Sequence, residues 1–269
     1  MLIRKPEGFP LGYTPITGLG GPHAEMRMDF GLLRLPPGGR ESSSVGLERA
    51  YLLLDGEARL QWEGGEAAVE RRSLFDERPW CLHLPAGVPV TISSGARGAE
   101  LACQAAANPQ GFAPRLYRPE ECREEGRGKG TLQETSTRIV RTIFDDSNAP
   151  WSNLVLGEVI NYPGKWSSYP PHHHPQPEIY HYRFLPAGGF GFAAIGKQAH
   201  VLCHGDTALI HEDEAHPQTA APGYAMYYLW LIRHLEGRRY VSPTFVPEHR
   251  WLLDPQARIW PFGSKEDSP

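Results

Sequence analysis

The feature of this sequence that most restricts its fold is the close spacing of glycine and proline along the chain. The 269 residues include 29 glycines and 26 prolines, with short runs of alternating apolar and polar residues between them. The stretch "ERAYLLLDGEARLQWEGG" is typical of a strand, a tight Asp55-Gly56 turn and a second strand. "GFGFAAIG", "TALIHE" and "AMYYLWLIRH" predict further strands, and no segment has a convincing helical period. This pattern predicts an all-β fold, either a sandwich or a barrel.

A charged segment near the middle of the chain separates two similar halves. We interpret residues 115–133, which include "RPEECREEGRG", as a linker with one helical turn. Each flanking half carries a strand, a turn and a later corner of the proline-x-glycine type, which suggests an internal repeat. We therefore predict an N-terminal barrel over residues 1–114 and a C-terminal barrel over residues 134–269.

Charge and composition narrow the class of partner. The net charge of −4 gives no reason to expect binding to nucleic acid or to an anionic membrane surface. No apolar run is long enough to span a bilayer, and "MLIRKPEGFP" lacks the apolar stretch of a signal peptide. The four cysteines are scattered without CxxC spacing, which favours reduced thiols. We expect a cytoplasmic protein that acts on a small molecule.

The run "PPHHHPQPE" carries the strongest chemical signal. His172 and His174 point to the same side of an extended segment, and Glu178 has the same parity. The spacing H-x-H-x3-E is the first metal-binding motif of the cupin β-barrels. His173 and His181 have the opposite parity, so we expect them to point away from the pocket.

A second stretch, "GDTALIHEDEAH", resembles the second cupin motif, G-x5-P-x-G-x2-H. Gly205 and His216 fall at the expected separation, although His211 and Asp213 replace the corner proline and glycine. Three histidines and one glutamate leave coordination positions open, as a catalytic metal requires. We predict a site for a divalent ion such as zinc, manganese, iron or nickel. The predicted ligands are His172, His174, Glu178 and His216.

The N-terminal half lacks the corresponding ligands. "LPAGVPV" places Pro85 and Gly87 at a cupin-like corner, but Val90 stands where the histidine would be. Serines replace the histidines upstream of Glu48 in "ESSSVGLERAY". We therefore predict an N-terminal barrel whose metal site is degenerate and which serves packing and oligomerisation.

The blocks "LGEVINYPGKWSSYPPHHHPQPEIYHYRF", "EAHPQTAAPGYAMYYLWL" and "RRSLFDERPWCLHLPAGVPV" resemble the 5-deoxy-glucuronate isomerases of myo-inositol catabolism. That family is related to the uronate ketol-isomerases. The resemblance implies a bicupin, with two double-stranded β-helix (jelly-roll) barrels in one chain. It also implies an aldose–ketose isomerase that moves a proton from C2 to C1 of a deoxy-uronic acid through an enediolate. The edge strands of such folds are often covered by a partner subunit, so we expect a homo-oligomer.

Residues near the metal motif are candidates for the remaining catalytic tasks. Tyr180 and Tyr182 share the parity of Glu178 and could donate hydrogen bonds in the pocket. Lys165 precedes the histidines and is the predicted cation for the substrate carboxylate, because the parity of Arg183 disfavours that residue. Two alternative functions stay open. The protein could be another metal-dependent cupin enzyme of the dioxygenase type, or a sugar-binding cupin without catalysis.

Overall fold

The structure, a computed structural model, describes residues 1–260, and strands with a few short 3-10 helices make up its regular elements. The first strands are β1 (Leu2–Ile3), β2 (Gly12–Thr17), β3 (Asp29–Leu35), β4 (Arg40–Ser43), β5 (Glu48–Trp62), β6 (Gly65–Arg71), β7 (Cys81–Leu84), β8 (Val90–Ala106) and β9 (Arg115–Tyr117). The strands that follow are β10 (Arg123–Arg127), β11 (Arg138–Phe144), β12 (Leu154–Asn161), β13 (Trp166–Ser167), β14 (His172–His173), β15 (Glu178–Leu185), β16 (Phe190–Ile195), β17 (Gln198–Cys203), β18 (Thr207–Ile210), β19 (Gln218–Ala220), β20 (Ala225–Arg233) and β21 (Thr244–Phe245). The 3-10 helices cover Ala24–Met26, Pro119–Glu121, Leu132–Glu134 and Pro247–Leu253.

These strands form two barrels, which confirms the predicted all-β fold. The N-terminal sheet has the order β2-β3-β8-β5-β7-β9, with β4 added on β8 and β6 on β5. The C-terminal barrel combines the sheets β1-β18-β15-β20-β12-β11-β10 and β13-β19-β16-β17. Among residues 1–260, no helix has the length and apolar character needed to cross a membrane.

The predicted Asp55-Gly56 turn is wrong. β5 runs without interruption through both residues, and its pairing with β8 shifts register there as a β-bulge. A Cβ on Gly56 would lie 2.2 Å from the carbonyl oxygen of Gly98, so glycine is needed where the two backbones cross closely. The Asp55-Gly56 pair therefore forms a β-bulge, which bends the long strand β5 around the barrel. The chain turns later, where Trp62 pairs with Gly65.

The segment interpreted as a linker contains two strands. β9 pairs with β7 in the N-terminal barrel, and β10 pairs with β11 in the C-terminal barrel, with a 3-10 turn between them. β1 also crosses the predicted division, because it pairs with β18. The boundaries at residues 114 and 134 stay a prediction, and residues 261–269 of the predicted second barrel lie outside the described residues.

The two barrels share an apolar core. Alternate residues of β5, such as Leu52 and Leu54, pack with Ile179, Leu229 and Leu231 of the C-terminal barrel. The residues between them face the interior of their own barrel and form separate clusters. Each central strand is therefore apolar on both faces, which explains the unbroken apolar run "YLLL".

A buried ionic cluster crosses the same interface. The guanidinium of Arg71 on β6 contacts the carboxylate of Glu158 on β12 at 2.6 and 3.1 Å. Arg141 Nη1 lies 3.1 Å from this carboxylate, and the Tyr227 hydroxyl donates to it at 2.7 Å. Both arginines also donate to the carbonyls of Leu74 and Glu77. Arg141 also pairs with Glu124 at 2.7 Å, whereas Glu158 is the carboxylate that neutralises Arg71 where the barrels meet.

We expect Glu158→Gln to lower the free energy of unfolding by about 3 kcal/mol, because it leaves the buried guanidinium of Arg71 without a counter-charge. The measurement is urea unfolding at neutral pH. Glu66→Gln, which removes the carboxylate from an exposed pair with Arg59, serves as the control and should have a much smaller effect. Equal losses in the two variants would contradict the role of the buried cluster.

Candidate metal centre

Two loops of the C-terminal barrel bring the predicted ligands together. His172 lies on β14, His174 follows it directly, and Glu178 begins β15. His216 lies in the loop between β18 and β19. The backbone amide of Asp213 donates to the His174 carbonyl at 3.0 Å, which fixes the second loop against the first.

Three of the four predicted ligands form a tight cluster. His174 Nε2 lies 3.0 Å from Glu178 Oε2, and His216 Nε2 lies 3.3 Å from the same oxygen. Candidate ligand atoms of these residues all lie within 4.8 Å of one another. The His172 ring lies beside them, with its centroid 5.1 Å from that of His216. All four side chains are buried or half-buried.

Each imidazole is held by the backbone through Nδ1. The three contacts are from His172 to the Pro170 carbonyl at 3.0 Å, from His174 to the Gln176 carbonyl at 3.0 Å, and from His216 to the Glu214 carbonyl at 2.8 Å. A carbonyl oxygen can only accept, so each Nδ1 carries the hydrogen, and each neutral ring keeps its lone pair on Nε2. Metal-bound histidines typically donate the hydrogen of the other ring nitrogen to a carbonyl in this way, which fixes the orientation of the ring.

The electrostatics of the cluster fit a divalent cation. Burial and the neighbouring His216 lower the pKa of His172 to about 3, and burial also lowers the pKa of His216. Nε2 of His216 is buried and makes no hydrogen bond. Lone pairs thus converge on a carboxylate, and a cation between them would remove the repulsion.

The cluster opens into a cavity of about 270 Å³ at the mouth of the barrel. Tyr180 lines this cavity, with its hydroxyl 3.1 Å from Ser168 Oγ. Trp230 lines it as well and packs over Gly157, where a Cβ would lie 2.1 Å from the indole. Glycine at position 157 therefore makes room for the indole beside the metal centre.

Three arginines line the cavity, and none of them was predicted from the sequence. Arg123 pairs with Asp145, and Arg127 pairs with Glu125. Arg138 is different: it is only 9% exposed, and it donates to the carbonyls of Ser136 and Tyr169. Within the described chain, no carboxylate lies within 4.0 Å of its guanidinium. Burial lowers its pKa, which is the direction expected for a desolvated cation.

The predicted catalytic residues lie at different places. Tyr180 contacts the metal centre, with its ring centroid 5.6 Å from that of His216. The Tyr182 hydroxyl lies deeper in the barrel and donates to Gln218 at 2.6 Å. Lys165 is half-buried, directly follows an exposed turn and is not among the residues that line the cavity. The structure therefore brings Tyr180 to the site, but not Tyr182 or Lys165.

The residues of opposite parity point elsewhere. His173 contacts Asp213 at 2.9 Å, on the rim. His181 is fully buried between the barrels against the rings of Phe9 and Phe30. Arg183 forms an ion pair with Glu100 of the other barrel at 2.6 Å.

A pair of β-barrels in one chain, with a His–Glu centre in the second barrel, defines a bicupin. An oxalate decarboxylase of Bacillus subtilis shares this fold, with a TM-score of 0.64 and 13% identity over 92% of this chain and 78% of its own. Residues 2–252 match the KduI/IolB family, and the chain belongs to that family.

Individual relatives support this assignment. An IolB-like protein from Salmonella typhimurium superposes with a TM-score of 0.83 at 23% identity, over 94% of this chain and 99% of its own. The 5-deoxy-glucuronate isomerase of Halalkalibacterium halodurans is 26% identical over 94% of this chain and 99% of its own length. The enzyme of that name from Geobacillus kaustophilus is 30% identical over 77% of this chain and 78% of its own.

We expect His174→Ala and His216→Ala each to lower bound metal at least tenfold, because each removes a lone pair that converges on Glu178. The measurement is elemental analysis of purified protein after dialysis against limiting divalent metal. His173→Ala is the matched control within the same run of histidines and should retain metal. Undiminished metal in both ligand variants would contradict the site.

Proposed function

We propose that this protein is a metal-dependent aldose–ketose isomerase that converts 5-deoxy-glucuronate to 5-dehydro-2-deoxy-gluconate in inositol catabolism. Family membership and the printed names of the relatives support this reaction class. The observation that carries the proposal is the pairing, in one cavity, of a donor set for a divalent cation with a buried arginine that has no acidic partner. A sugar acid offers both a set of oxygens for the cation and a carboxylate for the arginine.

His172, His174, Glu178 and His216 would hold the cation, which could be zinc, manganese, iron or nickel. When bound, a divalent cation supplies Lewis acidity to the oxygens of the reacting carbons and stabilises the negative charge that develops there. The backbone carbonyls keep the three Nε2 atoms in place before substrate arrives, so no reorganisation is needed at the moment of reaction.

Arg138 is the proposed anchor for the substrate carboxylate. Its guanidinium keeps donors beyond those used by the Ser136 and Tyr169 carbonyls, and a planar guanidinium matches a carboxylate with two parallel hydrogen bonds. An anchor at one end of the sugar acid would orient the other end, where C1 and C2 react, towards the histidine cluster. This assigns to Arg138 the role predicted from the sequence for Lys165.

Tyr180 is the proposed hydrogen-bond donor to the reacting oxygens. Burial, and then the charge of Glu178, raise the pKa of Tyr180 well above its usual value, so the phenol keeps its proton at neutral pH. A protonated phenol beside the cluster can donate to an oxygen that gains negative charge. The Ser168 hydroxyl lies 3.1 Å from the Tyr180 hydroxyl and can donate a hydrogen bond to it while Tyr180 donates to the substrate.

The direct test is to supply 5-deoxy-glucuronate to metal-loaded protein and follow formation of the ketose by NMR. The expected result is turnover that stops after removal of metal with a chelator and returns when metal is added back. Binding of the sugar acid without conversion would favour the non-catalytic alternative. Oxygen consumption with another substrate and no ketose would favour the dioxygenase type.

Arg138→Met should raise KM for the sugar acid at least tenfold with a smaller change in kcat, because the anchor acts on the bound carboxylate. Steady-state kinetics with metal content measured in parallel provide the readout. Arg127→Met should have a weaker effect, because Glu125 already neutralises Arg127. An unchanged KM in Arg138→Met would remove the anchor from the proposal.

Tyr180→Phe should lower kcat by about 10²-fold with metal content unchanged, because it removes one donor to the developing charge. Tyr182→Phe provides the comparison: its hydroxyl is already engaged by Gln218, so we expect a smaller fall in kcat together with a lower melting temperature. Equal effects of the two substitutions on kcat would contradict the separate roles.

We propose further that the chain forms a homo-oligomer and that it is cytoplasmic. Light scattering of purified protein should then give a mass that is a multiple of 30.0 kDa. Fractionation of the native cells should recover the protein with the cytoplasmic enzymes. A monomeric mass at micromolar concentration would contradict the first proposal.

A further inference from the structure

The N-terminal barrel contains a cavity of about 300 Å³ at a place that corresponds to the metal centre. Strand pairing defines the correspondence. Glu178, at the start of β15, pairs with Ile210, the last residue of β18. Arg49, near the start of β5, pairs with Leu84, the last residue of β7. Arg49 therefore occupies the position of the Glu178 carboxylate.

The other metal-centre positions follow from the same register. Ser43 and Val45 stand as far before Arg49 as His172 and His174 stand before Glu178, and all four line their cavities. Val90 stands as far after Leu84 as His216 stands after Ile210. Tyr51 corresponds to Tyr180, and both tyrosines line their cavities. The N-terminal cavity is thus the counterpart of the metal site with every ligand replaced.

The replacement places a cationic side chain where the metal centre has a carboxylate. Arg49 is only 2% exposed, and its guanidinium donates to the carbonyls of Ser43 and Val88. Among residues 1–260, no carboxylate lies within 4.0 Å of this guanidinium, and its Nε has no hydrogen-bond partner. A buried cation without an anionic partner is unfavourable, so this guanidinium is suited to bind an anion.

The remaining groups in the cavity limit the kind of anion. Burial raises the pKa of Tyr51, so its hydroxyl stays protonated and can donate. Asp29 and Glu41 also line the cavity and would repel an ion with two negative charges about twice as strongly as one with a single charge. Towards a ligand with hydroxyl groups, these two carboxylates are instead hydrogen-bond acceptors.

We propose that the N-terminal cavity binds a small monocarboxylate that carries hydroxyl groups, with the Arg49 guanidinium bound to the carboxylate. The guanidinium then supplies the positive charge that a bound cation would supply in the other barrel. The inference does not depend on the proposed isomerase reaction, because it concerns binding alone and rests on a different cavity.

The experiment is isothermal titration of the metal-loaded protein with D-gluconate, a hydroxylated monocarboxylate without the carbonyl needed for isomerisation. D-Sorbitol, which has a hydroxymethyl group in place of the carboxylate, is the neutral control. The unaltered chain should bind two molecules of gluconate, one at Arg49 and one at Arg138, and no sorbitol. Arg49→Met and Arg138→Met should each bind one, and the double variant none.

Arg59→Met is the matched control, because Arg59 lies exposed on the same strand as Arg49, and it should bind like the unaltered chain. If Arg49→Met does not fold, Arg49→Lys replaces it, with affinity at the N-terminal cavity expected to fall at least tenfold. Equal stoichiometry in the unaltered chain and Arg49→Met would overturn the inference, as would an unchanged affinity in Arg49→Lys. Sorbitol binding at this cavity, or tighter binding of inorganic phosphate there, would overturn it as well. Failure of the Arg138 anchor would show instead as unchanged stoichiometry in Arg138→Met.

Discussion

The structure of the metal centre depends on hydrogen bonds from three imidazole rings to three backbone carbonyls. Each carbonyl belongs to a residue two positions from its histidine, so short loops alone set the orientation of the rings. The carbonyls accept hydrogen bonds from Nδ1–H, so the lone pairs lie on Nε2. These lone pairs are directed towards Glu178 before any ion is present. A cation bound between the Glu178 carboxylate and the Nε2 lone pairs would remove the repulsion among them.

The packing of the barrels supports this arrangement through one strand. The side chains of Glu178, Tyr180 and Tyr182 face the interior of the C-terminal barrel, whereas those of Ile179 and His181 pack against the N-terminal barrel. Any shift of β15 by one residue would exchange these two faces. The interface between the barrels, with the buried cluster around Glu158, therefore fixes the register that places Glu178 at the metal centre.

The parity of residues along β15 explains why much of the site can be predicted from the sequence. Period-two alternation is local, so it separates Glu178 and Tyr180 from His181 and Arg183 without knowledge of the fold. The predictions that failed concern residues whose spatial neighbours are distant in the sequence. The Asp55-Gly56 pair is a common turn signal, but the close approach of β8 makes it a bulge. Arg138 lies on β11, far from the histidines in sequence, and only the barrel brings it to the cavity, whereas Lys165 lies near them in sequence but outside the cavity.

Diffraction data recorded on both sides of the absorption edge of the bound metal, from crystals of the metal-loaded protein, test the central claim most directly. The account predicts one strong anomalous peak in the C-terminal barrel, within bonding distance of Nε2 of His172, His174 and His216 and of a Glu178 carboxylate oxygen. It also predicts that the three Nδ1 contacts to backbone carbonyls persist. A peak elsewhere in the chain, or coordination through Nδ1, would contradict the account.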